Sequence, residues 1–132
     1  MDLKNKIQRL KFFMKENKLP ILVDFEVLDG FNDAIVIEGN ITKNDLYGIY
    51  VNGEYFEPKW YTNLKKVDSK NRVLIINNLS LCSKQEQKKF IPILKDKEYN
   101  DFKLLKDTII LVINKGSMEL IDDEVLSYLI KI

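Results

Sequence analysis

Histidine is missing from this sequence, and cysteine occurs once, as Cys82, among 132 residues. Without histidine, a Ser–His or Cys–His nucleophile pair and an imidazole acid or base are excluded. One thiol cannot build a thiolate zinc site, so we expect no metal centre. Any chemistry would have to use carboxylates, lysine, tyrosine or a bound cofactor.

Nucleotide hydrolysis is a second kind of chemistry for which the sequence lacks the essential motif. P-loop proteins use Gly-x-x-x-x-Gly-Lys-Ser/Thr, whose backbone amides and lysine hold the phosphates. No such motif occurs in this sequence. We therefore expect a chain that is not an enzyme in its own right and that binds no cofactor.

Charge and composition limit the function classes further. Lysine and arginine total 21 against 20 acidic residues, a net charge of +1. This balance argues against a main role in neutralising phosphates over a long footprint, although a local basic patch is compatible with it. The composition, 45% apolar and 31% charged, is typical of one globular domain, here residues 1–132. A single cysteine and short apolar runs predict a cytoplasmic protein without a membrane span.

Hydrophobic periodicity predicts the main elements. Residues 3–17 carry apolar side chains at spacings of three and four, as an amphipathic helix does. Strands are predicted at 21–23 and 34–37. The apolar runs at 73–76 and 109–113 are continuous, which is typical of parallel strands buried on both faces.

A β-hairpin is predicted at residues 49–56, because Asn52-Gly53 accepts the positive φ angles of a two-residue type I′ turn. In that register Tyr50 pairs with Tyr55. We expect the aliphatic residues of the first strand to cover the domain, which leaves the tyrosine face for solvent or a partner.

The second half of the chain predicts a parallel sheet. Ser83 and Glu86 match a capping box at the start of a helix, which Pro92 should kink or end. A last helix is predicted after Asp122. Strand, helix, strand, helix over residues 73–131 means a βαβ crossover. The predicted fold class is α/β, a mainly parallel sheet flanked by helices with a projecting β-hairpin.

From about residue 41 to the end, a series of segments follows a recognisable order. They are Asp45-Leu46-Tyr47-Gly48, the Asn52-Gly53 hairpin, Pro58-Lys59-Trp60, the strand 73–76, the helix from Ser83 with the turn 93–97, and the strand 109–114. In order and spacing they resemble the AAA+ ATPase superfamily, closest to its MoxR- and dynein-like branch. The resemblance implies that strand 73–76 leads into Walker B and that strand 109–114 ends at the sensor-1 residue.

The sequence departs from this family where the nucleotide would be held. Residues 21–30, at the place of the phosphate loop, carry three carboxylates that would repel phosphate: Asp24, Glu26 and Asp29. The sequence ends at Ile132, where the family would carry an arginine finger and then a lid domain. We therefore expect a degenerate AAA+-like core that lacks both the P-loop and the lid.

Three asparagines occupy the positions that the resemblance assigns to nucleotide chemistry. The Walker B acids fall on Asn77 and Asn78, and the sensor-1 position falls on Asn114. A neutral amide neither holds magnesium nor polarises water well. These residues are interpreted in two ways, as asparagines that turn the chain at strand ends or as a vestigial nucleotide site.

Six aromatic residues crowd into positions 47–61, namely Tyr47, Tyr50, Tyr55, Phe56, Trp60 and Tyr61. One interpretation is a local hydrophobic cluster packed across the hairpin. The other is a contact surface, which would anchor a protein partner or stack single-stranded nucleic acid. The balanced net charge favours protein over nucleic acid.

The sequence as a whole predicts a non-catalytic AAA+-like protein-interaction module. Its partner would be a full-length AAA+ protein or a second copy of the chain. One alternative is a subunit that contributes in trans to a hetero-oligomeric ATPase, although the two arginines, Arg9 and Arg72, do not lie where a finger is expected. The other alternative is a nucleic-acid accessory protein that uses the aromatic hairpin.

Overall fold

The computed structural model describes residues 2–16 and 18–132, with the side chains of Asp29 and Asn71 left outside the description. The strands are β1 (Ile21–Val23), β2 (Ile35–Glu38), β3 (Ile49–Val51), β4 (Glu54–Phe56), β5 (Val73–Asn77), β6 (Glu98–Tyr99), β7 (Phe102–Lys103), β8 (Ile109–Ile113) and β9 (Ile130–Lys131). The helices are α1 (Leu3–Glu16), α2 (Lys43–Tyr47), α3 (Lys59–Leu64), α4 (Lys84–Gln87), α5 (Ile91–Lys95) and α6 (Asp123–Leu126).

Five strands form one parallel sheet in the order β2-β5-β8-β1-β9. Helices cover it, and two short antiparallel ribbons, β3–β4 and β6–β7, stand apart from it. The predicted α/β class, with a mainly parallel sheet and a separate hairpin, is confirmed.

The two continuous apolar runs of the sequence are the central strands. All five residues of β8 are buried, and so are the first four of β5. Ile75 in β5 is fully buried and Ile110 in β8 is 1% exposed. A strand with a layer on each side of the sheet needs apolar residues at every position, which explains why these runs do not alternate.

Each face of the sheet carries its own core. On one face α1 packs Leu10 and Met14 against a cluster that includes Ile75 and Leu111. On the other face the remaining helices cover a larger cluster centred on residues such as Phe90, with Ile110 from the sheet. The amphipathic helix predicted for residues 3–17 therefore covers one side of the sheet, together with apolar residues of the segment that follows β1.

The helix that the capping box predicts is present but is divided at the proline. The Ser83 hydroxyl accepts a hydrogen bond from the Glu86 amide at 3.2 Å, which starts α4. A 3₁₀ turn, Lys88–Phe90, then leads into α5. Pro92 lies in the first turn of α5, where its missing N–H would have no helical partner in any case.

Several elements were not predicted. The helices α2 and α3 and the ribbon β6–β7 are short, and short elements carry little periodicity. The last helix is also shorter than expected, because the chain leaves α6 after Leu126 and adds β9 beside β1. No helix in the described ranges is long and apolar enough to span a bilayer.

Candidate functional site

The strand order of the sheet places a topological switch point at the carboxyl ends of β1 and β8. These two strands are neighbours, but the chain leaves β1 toward β2 on one side and leaves β8 toward β9 on the other. In open α/β sheets, ligands bind in the crevice outside the strand ends at such a switch point. The resemblance places the phosphate loop and the sensor-1 residue at the same two strand ends.

An ion pair bridges this crevice. The Lys115 ammonium lies 3.1 Å from Glu26 Oε2, and the Leu28 amide donates to Glu26 Oε1 at 2.9 Å. The hydrogen bond from Leu28, helped by Lys115, holds the pKa of Glu26 below its usual value. The crevice therefore contains a fixed carboxylate, as the sequence predicts, and its lysine is already paired with that carboxylate.

The chain after β1 does not form a phosphate-binding loop and helix. Between β1 and β2 it forms a three-residue 3₁₀ turn, Leu28–Gly30. A turn this short does not present the row of amides that cradles a phosphate chain. Asp24 is exposed beside it, whereas the side chain of Asp29 lies outside the described residues.

Asn114, to which the resemblance assigns the sensor-1 role, forms hydrogen bonds within its own turn. It is 3% exposed, and its backbone N–H donates to the Val23 carbonyl at 2.9 Å. Its Nδ2 donates to the carbonyls of Gly116 and Ser117 at 3.3 and 3.4 Å. This geometry is that of a structural asparagine at a strand end.

Asn77 and Asn78, which the resemblance aligns with the Walker B acids, differ from each other in conformation and hydrogen bonding. Asn78 has a φ of 56°, in the left-handed region that asparagine tolerates, and its Nδ2 donates to Glu38 Oε1 at 3.2 Å. A Cβ on Gly39 would lie 2.3 Å from the Asn78 carbonyl oxygen, so the backbones of the two turns touch. Asn77 Oδ1 is buried and has no hydrogen-bond partner among the described residues. Asn78 is therefore a turn residue, and Asn77 alone has an uncommitted polar atom.

Metal-ligating and nucleophilic side chains are the remaining groups to place. In the part of the chain that the structure describes, no cluster of three or more carboxylate, histidine or cysteine side chains is placed to hold a metal ion. The Cys82 thiol donates to the Gly39 carbonyl at 3.2 Å, and burial raises its pKa. A thiol held in its protonated form is a poor nucleophile.

The β3–β4 hairpin has the predicted register, with Tyr50 paired to Tyr55. Both faces of the ribbon are exposed, because Ile49, Tyr50 and Val51 are all exposed along β3. The expectation that Ile49 and Val51 are covered is therefore wrong, whereas Tyr50 is exposed as expected. The Tyr55 hydroxyl donates to the Tyr47 carbonyl at 2.6 Å, and the Tyr50 hydroxyl donates to Asp101 Oδ2 at 2.6 Å. Both tyrosines are thus tied to the domain, although the Tyr50 ring remains 52% exposed.

Two of the six predicted contact residues belong to the core, which corrects the expectation that all six form a surface. Tyr47 is 3% exposed and Trp60 is 8% exposed. The Tyr47 hydroxyl accepts from the Ile93 amide, and the Trp60 indole donates to the Leu46 carbonyl at 3.1 Å. Buried rings whose polar groups are satisfied internally are not available to a partner.

Tyr61 is intermediate between the core and the surface. Its hydroxyl donates to the Lys103 carbonyl at 2.7 Å, and its ring packs 5.2 Å from that of Phe102. Phe102 also contacts the rings of Tyr47 and Trp60. The interpretation as a local hydrophobic cluster therefore describes these three predicted residues.

The face of the hairpin opposite the tyrosines consists of Ile49, Val51 and Phe56, which are 41%, 46% and 47% exposed. We call these three residues the hairpin face. Ile49 lies directly opposite Phe56 in the register, so the side chains share one side of the ribbon. Of the six predicted residues, Phe56 lies on this face, whereas Ile49 and Val51 were expected to be covered.

Comparisons with known proteins support the fold. No protein-family model matches the sequence, and no curated protein matches it. Among solved structures, the chain is similar to NtrX from Brucella abortus, with a TM-score of 0.54 and 10% sequence identity. The match covers 94% of this chain but 35% of the NtrX chain, so this chain spans about a third of that protein. At this identity the likeness concerns the fold alone.

Proposed function

We propose that this chain is a non-catalytic, AAA+-like module that binds a protein partner through the hairpin face. The observation that carries the proposal is the exposure of three adjacent apolar side chains, Ile49, Val51 and Phe56, on a ribbon outside the main sheet. Exposed contiguous apolar side chains on an ordered element mark interaction sites more often than single exposed residues do.

Contacts on the tyrosine side of the β3–β4 ribbon fix its position, which favours binding of a partner on the hairpin face. Gly48 has a φ of 97°, and a Cβ there would lie 2.8 Å from the Tyr55 ring and 2.5 Å from the Phe56 carbonyl oxygen. Together with the hydroxyl bonds of Tyr50 and Tyr55, this close packing fixes the hairpin against the domain. A preformed surface loses less conformational entropy when a partner binds.

The size of the hairpin face bears on the kind of partner. Three half-exposed side chains offer at most a few hundred Å² of apolar area. A stable interface buries about 800 Å² on each partner, so the hairpin face would be the apolar centre of a larger contact. We commit to a different protein as the occupant, and on the sequence resemblance we favour a full-length AAA+ protein over a second copy.

The absence of catalysis is proposed from the carboxyl edge. Asn78 and Asn114 serve their own turns, and the lysine nearest the switch point is paired with Glu26. The alternative of an ATPase subunit acting in trans has less support. Arg72 directly precedes β5, at the opposite edge of the sheet from these groups. The single cysteine, which is free, fits the reducing cytoplasm, and we propose that location.

The test compares two doubly substituted chains. Ile49→Ser with Phe56→Ser removes two of the three apolar side chains of the hairpin face. Leu81→Ser with Leu120→Ser removes two apolar side chains elsewhere that are even more exposed, at 60% and 53%. A protein that the wild-type chain captures is purified. The Kd of its complex is then measured with the wild-type chain and with each of the two variants. We expect the first pair to weaken binding by at least about tenfold, or about 1.4 kcal/mol, and the control pair to leave it unchanged.

Two outcomes would count against this proposal. Equal binding by the wild-type chain and the hairpin variant would place the interface elsewhere. Sedimentation that shows a wild-type dimer lost in the hairpin variant would make a second copy of this chain the occupant instead.

A further inference from the structure

A cavity of about 640 Å³ opens at the amino ends of β5 and β8, at the opposite edge of the sheet from the asparagines. Its walls are the second half of α1, the segment 30–34, and the chain that enters the two strands. The volume lies within the roughly 300–1,000 Å³ of small-molecule sites.

The lining of this cavity is strongly basic. Five cationic side chains line it, namely Lys11, Lys15, Lys18, Lys70 and Arg72, against two carboxylates, Asp33 and Asp107. The excess of three positive charges exceeds the net charge of +1 of the whole chain. A concave surface lined by one sign of charge concentrates ions of the opposite sign. We call this feature the basic cavity.

Among the described residues, no carboxylate forms an ion pair with a cation of the basic cavity. Every ion pair within 4 Å among the described residues involves Lys65, Lys88 or Lys115, none of which lines the cavity. The Lys11 ammonium lies 5.0 Å from the centre of the Phe31 ring. It forms no ion pair with a described carboxylate. Since Lys11 and Lys15 are one helical turn apart, they repel each other, and a bound anion would relieve that repulsion.

Arg72 adds a second, independent indication. Its Nε is buried and has no hydrogen-bond partner among the described residues. Its carbonyl accepts from the Ile109 amide at 3.0 Å, which fixes the backbone of Arg72 between the two central strands. A buried donor without an acceptor costs free energy. Arg72 lines the cavity and is partly exposed, so a shift of its guanidinium toward a bound anion would give this donor an acceptor.

We infer that the basic cavity binds a small ligand that carries at least two phosphate groups. A single phosphate brings a charge of about −1.5 to −2, which leaves part of the excess of three uncompensated, whereas two phosphates balance it. The limited volume of the cavity and the near-neutral chain favour a small ligand over an extended nucleic acid. This site is separate from the hairpin face and does not depend on the function proposed above.

The experiment titrates the full chain with inorganic pyrophosphate and, for comparison, inorganic phosphate, by calorimetry in low salt. We expect pyrophosphate to bind about tenfold or more tightly than phosphate, and its affinity to fall as salt rises. In Lys15→Gln with Lys70→Gln, the affinity for pyrophosphate should fall by about tenfold or more. Both lysines are exposed, so the fold should survive their replacement.

The matched control is Lys84→Gln with Lys131→Gln, which removes the same charge from two exposed lysines outside the cavity. We expect this variant to bind pyrophosphate as the wild-type chain does. An equal loss in both variants would show a diffuse charge effect and overturn the site. So would no pyrophosphate binding below about 10 mM. Single-stranded oligonucleotides that bind more tightly than pyrophosphate, with affinity rising with length, would replace the inference by an extended nucleic-acid surface.

Discussion

Glu26 and Lys115 form an ion pair, 3.1 Å between carboxylate and ammonium, across the carboxyl ends of β1 and β8. The pair occupies the switch point at which a parallel sheet of this kind would hold a nucleotide. The Leu28 amide donates to the same carboxylate, so it is fixed from two sides. A phosphate entering the crevice would meet this negative charge before it reached the lysine.

The first prediction concerns nucleotide turnover. The purified chain, incubated with magnesium and ATP or GTP, should release phosphate no faster than the buffer alone. Phosphoryl transfer requires a positioned lysine and a magnesium ion, and Lys115 is paired while Asn78 and Asn114 are committed to turns. A phosphate-release assay checks this expectation.

The control for the first prediction restores the acids that the resemblance expects. Asn77→Asp with Asn78→Glu should also be inactive, because the phosphate loop is still missing. Turnover that disappears in Lys115→Ala would contradict the prediction and reveal a working site at this edge. Binding of a triphosphate without turnover, lost in the Lys15 and Lys70 variant, would instead belong to the basic cavity.

The second prediction concerns the core of the sheet. Ile75→Ala and Ile110→Ala should each lower the free energy of unfolding by about 2–5 kcal/mol, since both side chains are buried in central strands. Val36→Ala in the edge strand β2 is the control, because that side chain is 43% exposed, and we expect a loss below about 1 kcal/mol. Urea denaturation measures all three. Losses that do not differ between the edge and the centre would be inconsistent with this sheet order.

Sequence patterns anticipated the elements whose determinants are local. Residues 73–76 and 109–113 are apolar at every position, and that pattern requires burial on both faces whatever lies around them. Asn52 and Gly53 both have positive φ, as a type I′ turn demands, and the turn fixes the register.

The features that sequence reasoning missed depend on contacts between distant parts of the chain. Which side of the hairpin is tied to the domain is decided by Asp101, 51 residues from Tyr50, and by the fit of Tyr55 over Gly48. The strand β9 has two residues, and it exists because Ile130 pairs with Ile21. No pattern within a short window contains that information.

The basic cavity was missed for the same reason. Its lysines come from α1 and from the segment before β5, and separately each resembles an ordinary solvated lysine. The sequence left room for a local basic patch, but the fold alone brings Lys15 and Lys70 to one cavity. Similarly, the sequence leaves open whether Tyr47 and Trp60 pack in a cluster or form a surface, because burial cannot be deduced from proximity in sequence.

The third prediction uses two glycines of the hairpin. Gly48→Ala should cost more stability than Gly53→Ala, although both have positive φ, at 97° and 80°. An alanine at Gly53 meets nothing within 4 Å and bears only the backbone strain, about 1 kcal/mol. At Gly48 the added methyl would also collide with the Tyr55 ring. Thermal melts should rank the two, and equal costs would mean that Tyr55 does not pack over Gly48.

The fourth prediction concerns Tyr55 itself. Tyr55→Phe should lower the free energy of unfolding by about 0.5–1.5 kcal/mol. The Tyr55 hydroxyl donates to the Tyr47 carbonyl, and its removal takes that donor away from the carbonyl. Phe56→Tyr on the hairpin face is the control, since its added hydroxyl would lie on the exposed side of the ribbon. We expect no loss of stability there. Equal denaturation midpoints for the two variants would mean that the bond from the Tyr55 hydroxyl to the Tyr47 carbonyl does not stabilise the fold.

The last prediction is that acid weakens the contact between α6 and the 3₁₀ turn Lys88–Phe90. Asp122 caps α6 by accepting from the Val125 amide at 3.1 Å, and the Lys88 ammonium lies 3.2 Å from its other oxygen. Burial alone would raise the pKa of Asp122, but these two contacts outweigh it and hold the pKa below the ordinary 3.8. When folding lowers the pKa of a carboxyl group, that group stabilises the protein fully at a pH above the pKa that it has in the unfolded chain. The stabilisation is lost as the pH falls through the lower pKa of the folded state. Urea midpoints should therefore drop steeply below about pH 4, and Asp122→Asn, already weaker at neutral pH, should show a shallower drop. If the wild-type chain and Asp122→Asn show the same dependence of the urea midpoint on pH, the acid sensitivity comes from another carboxylate. Glu26, whose pKa is also lowered, would then be tested in the same way.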